Sequence, residues 1–398
     1  MSKHARSLYA LAAALLALPA ATAQAYDWRF CLRTQVTTTD SGVGEDYYDT
    51  AGDTSHPARH ARVRVTRNGA TLWPTGYADA NGCVDFESPY TDDFHVELWS
   101  EARIPRTDNS NYTNLLSVEF ADGTQAYWHW YASYGAGGGT KTFYTNLTRR
   151  STLLGLSSWI VKRWSDGLVN KTYTVRDAAC PSIPDNSCLS GGIVYINPTH
   201  YDRKFLVAHE LGHALVHHWV NYSPSSDYGQ NTGGANCTTP AGMHHALHSK
   251  EYQSAALTEG FAQFYATAAW NFETETAAWF RYYKDDYKNG SVTVVNVENG
   301  DTGGATAYLE TQCTGTSDGR GVELDWMRAL WDYRTNAGDA PSHYEILRQL
   351  KNGVIGGLWG DTTAYDAFTA GVLEYDQQHG TDFHARWLEM ATFNGVDH

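Results

Sequence analysis

Basic residues are scarce in this 398-residue chain. Lys and Arg number 29 against 44 Asp and Glu, a formal charge of -15; so acidic a surface lacks the positive footprint that nucleic acid or an anionic membrane requires. Long apolar runs are missing too. Beyond the amino-terminal stretch, no segment reaches the about 18 uninterrupted apolar residues of a membrane-spanning helix. No internal repeat is apparent. Cysteine is limited to Cys31, Cys83, Cys180, Cys188, Cys237 and Cys313.

The amino-terminal stretch has its own pattern. Lys3 and Arg6 precede the apolar run Leu8 to Leu18, and Ala23-Gln24-Ala25 follows, which reads as a secretory signal over residues 1 to 25, cleaved before Tyr26. The expectation is a secreted or periplasmic protein with no membrane span. All six Cys lie after that point, and an even number in an oxidising compartment reads as disulfides. Placement and proximity favour Cys31 with Cys83, Cys180 with Cys188, and Cys237 with Cys313.

About 370 residues is more than one core usually serves, so two domains are expected. Residues 26 to 120 are strand-like. Ala61-Arg62-Val63-Arg64-Val65-Thr66-Arg67 alternates, and Asn68-Gly69 and Asn81-Gly82 mark turns, a pattern that predicts an all-β sandwich. Residues 121 to 150, rich in Asn, Thr, Gly and Tyr, read as a connection with a strand near Ala126 to Ala132. Helical spacing begins at 151 with Leu153, Leu156, Ile160 and Trp164. Thr172 to Val175 and Gly192 to Asn197 read as strands, and Val292 to Val297 as a small one. Ala277 to Tyr287, Val322 to Tyr333, His343 to Lys351 and Thr362 to Tyr375 have helix-like apolar spacing. The fold class is α+β, a β-sandwich followed by a mostly helical domain with a small sheet over 151 to 398.

The chemistry lies in Phe205-Leu206-Val207-Ala208-His209-Glu210-Leu211-Gly212-His213-Ala214-Leu215. Positions four apart project from one helix face, so the imidazoles of His209 and His213 can converge on one metal ion. Glu210 is close enough to reach a water at that ion. Thr199 and Asp202 after Pro198 suggest a capping box that starts this helix near residue 199. The bland alternative is a buried helix whose His are satisfied by neighbours.

A catalytic zinc needs a third protein ligand and an open position. Metzincin spacing fails, because Val216 and Trp219 stand where Gly and His are needed. His217 sits about 6 Å further along the axis, too far for three rings to close on one ion. Glu259, in Leu257-Thr258-Glu259-Gly260-Phe261-Ala262, is the better candidate; the competing one is a His of Met243-His244-His245-Ala246-Leu247-His248, otherwise read as exposed loop or cleft lining.

Taken together, His209-Glu210-Leu211-Gly212-His213 and Thr258-Glu259-Gly260-Phe261-Ala262 resemble the gluzincin metallopeptidases, with stretches similar to those of fungalysin-like enzymes and zinc aminopeptidases. The resemblance implies a zincin-like fold, Zn2+ as cofactor, His209, His213 and Glu259 as ligands, Glu210 as general base, and a protein or peptide substrate. It also implies that the strand before the metal helix, Ile193 to Ile196, is the sheet edge that receives an extended peptide. Two departures stand out: the long insert Asn221 to Lys250, and Gln263 where relatives often place an acid, whose amide oxygen can accept the second N–H of a ligand His. Glu323 and Asp325 are further candidate partners for a ligand His, and Tyr308, Tyr333, His343 and Tyr344 for stabilising an oxyanion. In the amino-terminal region, Ala61 to Gly82 is similar to prealbumin-like regulatory modules of carboxypeptidases, which implies a spacer or adhesion role. The abundance of Tyr and Trp allows glycans as partners of that module. Two other functions therefore stay open: a noncatalytic exported binding protein, and a peptidase directed at glycoproteins.

Overall fold

The structure is a computed structural model that describes residues 25–39, 43, 55–105, 113–135, 137–164, 171–220, 245, 247, 251–274, 278–285, 292–298, 319–336, 338–355 and 363–397. The signal-like segment before residue 25, the pairing of Cys237 with Cys313, Tyr308 and most of the Asn221 to Lys250 insert lie outside these residues.

Nine strands come first: β1 (Tyr26–Gln35), β2 (Ser55–Pro57), β3 (Ala61–Arg67), β4 (Ala70–Tyr77), β5 (Cys83–Ser88), β6 (Phe94–Pro105), β7 (Thr113–Glu119), β8 (Tyr127–Ala132) and β9 (Gly139–Tyr144). Helices then alternate with short strands: α1 (Arg149–Arg163), β10 (Thr172–Asp177), β11 (Cys188–Ser190), β12 (Ile193–Ile196), α2 (Lys204–Val220), α3 (Gln253–Trp270), β13 (Trp279–Asp285), β14 (Val292–Asn296), α4 (Glu323–Thr335), α5 (His343–Ile355), α6 (Ala364–His379) and α7 (Phe383–Phe393). The fold is α+β.

Strand alternation places Trp28, Phe30 and Leu32 of β1, Val63 and Val65 of β3, and Phe94, Val96 and Leu98 of β6 on inward faces. With Val84, Phe86 and Phe143 they form one apolar core between two sheets. In the first sheet β1 pairs antiparallel with β2 and β5, and parallel with β9 on its other side. In the second, β6 lies between β3 and β8.

This second sheet continues past the amino-terminal core. The first half of β6 pairs with β8 and the second half, Glu101 to Pro105, with β7. From β7 the order runs to β10, β12 and β11. One row of β6 side chains therefore serves two cores: Phe94, Val96 and Leu98 face the first, Ala102 and Ile104 the second, where the helices pack. The stretch expected to be a connection supplies β8 and β9, because its Tyr, Trp and Phe side chains find both cores.

Three local expectations are corrected. Residues Ala277 to Tyr287, expected as a helix, hold strand β13, hairpinned with β14. Phe280 and Tyr282 are buried while Trp279 is 40% exposed; this period-two burial of aromatics outcompetes a weak helical spacing. Strand β12 is not the edge, since β11 pairs antiparallel with it through Cys188↔Tyr195, Leu189↔Val194 and Ser190↔Ile193. Among the described residues β11 ends the sheet. The helix that carries His209 and His213 starts at Lys204, not near Thr199, because Asn197 Oδ1 accepts from the N–H and the hydroxyl of Thr199 at 3.0 and 2.8 Å and holds a turn there instead.

Two disulfides pair as expected. Cys31–Cys83 joins β1 to β5, and Cys180–Cys188 ties the preceding loop to β11. No helix among the described residues is long and apolar enough to cross a membrane.

One buried acid gives a stability prediction. Burial, reinforced by the charge of Glu298, pushes Asp332 in α4 up from 3.8 to about 7, against a hydrogen bond from Asn394 Nδ2 at 2.8 Å. The folded chain thus holds this proton more tightly than the unfolded chain. Stability from this site is present below about pH 4 and is lost progressively as pH rises to about 7, about 4 kcal/mol in all. Asp332→Asn removes the ionisation. Thermal unfolding should show the variant close to the parent at pH 4 and several degrees more stable at pH 8.

Candidate metal centre

Three helices assemble the site. In α2 the apolar positions Leu206, Val207, Leu211, Ala214 and Leu215 are buried, and His209 and His213 fall one turn apart within that stretch. Every residue of α3 from Ser254 to Trp270 is buried, as expected for a helix that is apolar nearly all round. Glu259 and Gln263, with Ser254, Thr258 and Thr267, interrupt the apolar run, and the two long polar side chains buried there require partners.

Glycine sets the approach of the helices. A Cβ on Gly212 would lie 3.0 Å from Ala262 Cα and 3.2 Å from Tyr265 Cβ, so α2 packs on α3 closely enough for their side chains to meet. A Cβ on Gly260 would lie 2.5 Å from Trp326 Cβ and 2.8 Å from the Glu323 carbonyl oxygen, which seats the first turn of α4 on α3. Further along, the Trp270 indole N–H donates to the Lys204 carbonyl at 3.0 Å and fixes the antiparallel alignment of α2 and α3.

The result brings the sequence-derived residues together. His209 Nε2 and His213 Nε2 are 3.0 Å apart, and Glu259 Oε2 lies 3.2 Å from the first and 3.4 Å from the second. Donors held about 2.0–2.1 Å from one tetrahedral ion are themselves about 3.3 Å apart. These three groups thus fit a single metal ion. His209 and Glu259 are sealed in, with side chains 1% and 3% exposed, while that of His213 is 14% exposed, so the site opens to solvent on the His213 side. Glu210 is buried on the same helix.

Electrostatics favour a cation here. Burial, and then the neighbouring His213, push His209 down to about 3, which leaves it a neutral imidazole with a lone pair to give. Burial also opposes charge on His213, but the carboxylates of Glu259, Glu210 and Glu323 outweigh it and raise that ring. Glu259 is held well below the usual carboxylate range: burial works against its charge, and His245 and His213, with hydrogen bonds from His209 and His213, overcome it.

The surroundings differ from the sequence reading. His245, expected to be exposed, is buried. Its Nε2 lies 3.7 Å from Glu259 Oε1, and its Nδ1 is hydrogen-bonded to Glu323. Gln263 does not turn its amide oxygen to a ligand His; its Nε2 donates to Glu323 Oε2. Glu323 partners His245 and Gln263, and reaches His213 only through its charge. His244 and His248 lie outside the described residues. Of the oxyanion candidates, Tyr333 donates to Gln349 Oε1 at 3.1 Å, His343 stacks on Trp164 at 3.8 Å, and Tyr344 packs edge-on against Trp219. None of those contacts is with His209, His213 or Glu259. The group that sequence reasoning passed over is Tyr282, a buried phenol of β13 pushed up by burial and by the charges of Glu323, Glu259 and Glu251. Reading β13 as a helix hid it.

No protein-family model matches the chain, and no curated protein matches it.

Proposed function

We propose that this protein is a zinc-dependent metallopeptidase of zincin-like fold, exported from the cell, that hydrolyses peptide bonds. The observation that carries this reading is the convergence of His209 Nε2, His213 Nε2 and Glu259 Oε2 within 3.0–3.4 Å of one another, with Glu210 buried on the same helix. Zinc bound there supplies Lewis acidity, which brings the pKa of water towards about 7 and polarises a carbonyl. His209 and His213 would each give a ring-nitrogen lone pair, and Glu259 one negative charge. Glu210 takes the proton of the attacking water and delivers it to the nitrogen of the leaving amine.

Strand β11 gives the substrate a place. As the last strand of the sheet among the described residues, it offers backbone groups that an extended peptide can pair with irrespective of side chain. The disulfide at Cys188 holds that strand against loss of order, and disulfides fit an oxidising compartment.

A noncatalytic protein with a structural metal would close the site with a fourth protein ligand, often Cys. Among the described residues the His pair gathers one carboxylate only, and Cys31, Cys83, Cys180 and Cys188 are all in disulfides. The purified chain should carry one zinc and cleave casein, lose cleavage on treatment with 1,10-phenanthroline, and regain it with added zinc. Protein that binds zinc but leaves casein and a mixed peptide library intact would be a binding protein instead.

A further inference from the structure

Glu259 presents two oxygens, and the protein treats them differently. Oε2 faces the Nε2 atoms of His209 and His213 at 3.2 and 3.4 Å, whereas Oε1 faces His245 Nε2 at 3.7 Å. His245 Nδ1 is hydrogen-bonded to Glu323 Oε1, and Glu323 Oε2 accepts from Gln263 Nε2. Gln263 stands one turn after Glu259 on α3. The four side chains therefore close a ring: Glu259 to His245, His245 to Glu323 at the start of α4, Glu323 to Gln263, and back along α3.

The backbone holds His245 in that ring. Leu247, buried in the core, accepts at its carbonyl from the Leu324 N–H at 3.2 Å, and the Glu251 N–H donates to the Gly321 carbonyl at 2.7 Å. Both bonds tie the segment that carries His245 to the turn that starts α4. Glu323, wholly buried, has its carboxylate at a helix amino terminus, where negative charge is favoured. A terminal carboxyl torsion is broad and intrinsically free. Without a partner on Oε1, the carboxylate of Glu259 can turn to offer both oxygens or swing from the His pair.

We propose that His245 is a positioning residue for Glu259: it holds Oε1 so that Oε2 alone is presented to the metal, while Glu323 and Gln263 fix the imidazole. The inference rests on the reading of His209, His213 and Glu259 as metal ligands. His245 is not itself placed as a ligand of the same ion, because it groups with Glu259 and Glu323 and not with the His pair. Partners of this kind, one step removed from the metal, typically carry 10–100-fold in metal affinity.

The test uses the full chain stripped of metal, with zinc affinity measured by competition against a chromophoric chelator and the ligand field read from the visible spectrum of the cobalt(II) form. His245→Ala should still bind one metal per chain, about 10–100-fold more weakly, with an altered cobalt spectrum as Glu259 becomes free to turn. His245→Gln, whose amide N–H reaches in the same direction, should recover part of the affinity and spectrum. Glu323→Gln, nearly isosteric, should show a weaker form of the His245→Ala effect and guards against a variant that fails to fold. Unchanged affinity and spectrum in both His245→Ala and Glu323→Gln would overturn the inference while leaving the metal site standing. Complete loss of metal from folded His245→Ala would also overturn it, by making His245 a ligand. Failure of the unaltered chain to bind zinc or cobalt would instead remove the metal-site reading itself, and the inference with it.

Discussion

Glu210→Gln should leave one zinc per chain in place and lower kcat/KM for peptide cleavage by about 10³-fold or more. The amide keeps the volume of the carboxylate but cannot accept a proton, and general base catalysis typically accounts for 10²–10⁴-fold. Because Glu210 is outside the group of His209, His213 and Glu259, metal affinity should move little. The fall should appear in kcat with KM nearly constant, as expected for an interaction made in the transition state. Single-turnover cleavage of a fluorogenic peptide, with zinc content measured on the same sample, checks both halves. A Glu210→Gln protein that cleaves at near-normal rate would remove Glu210 as the base; one that loses its metal would make it a ligand.

The second large effect is expected at Glu259. Glu259→Ala removes the negative charge that holds the imidazole pair together and that raises His213, so zinc affinity should fall by more than the about 100-fold that an outer partner can cost. The metal-free protein should suffer as well. His209, His213 and His245 then lose the buried carboxylate that faces all three, and a buried polar group left without its partner typically costs about 1–3 kcal/mol. Competition with a chelator and chemical denaturation of the metal-free chain measure the two separately. Full retention of zinc would move the third ligand elsewhere, with the segment His244 to His248 the first place to look.

How much of this was legible in the sequence follows from the range of each interaction. His209 and His213 are local: four residues apart on a helix, they share a face whatever surrounds them. Gln263 was legible as a neighbour of the site for the same reason, being one turn from Glu259. Its partner was not, since the amide can donate or accept and only the arrival of Glu323 from α4 decides which. His245 sits in a His-rich stretch of polar context, and nothing nearby in sequence marks it as buried; its burial depends on backbone bonds to Gly321 and Leu324, more than 70 residues away. β13 was misread because a short run of apolar aromatics suits either period, and pairing with β14 settles it. The resemblance implies β12 as the edge, but the three-residue β11, too short to register as a strand in the sequence, pairs beyond it.

What the amino-acid order determined by itself was the strand alternation of the first hundred residues, the Cys180–Cys188 pairing eight residues apart, and a helix that carries His209 and His213 on one face, all set by periodicity or by small separations along the chain. Only tertiary packing brought Glu259 within 3.2 and 3.4 Å of the two imidazoles, by letting α2, α3 and α4 approach through Gly212 and Gly260. It also continued a single sheet through both cores and placed His245 and Glu323 behind the Glu259 carboxylate. The physical reason is that buried charge must find its compensation wherever the fold brings it, and that partner is chosen by distance in space and not along the chain.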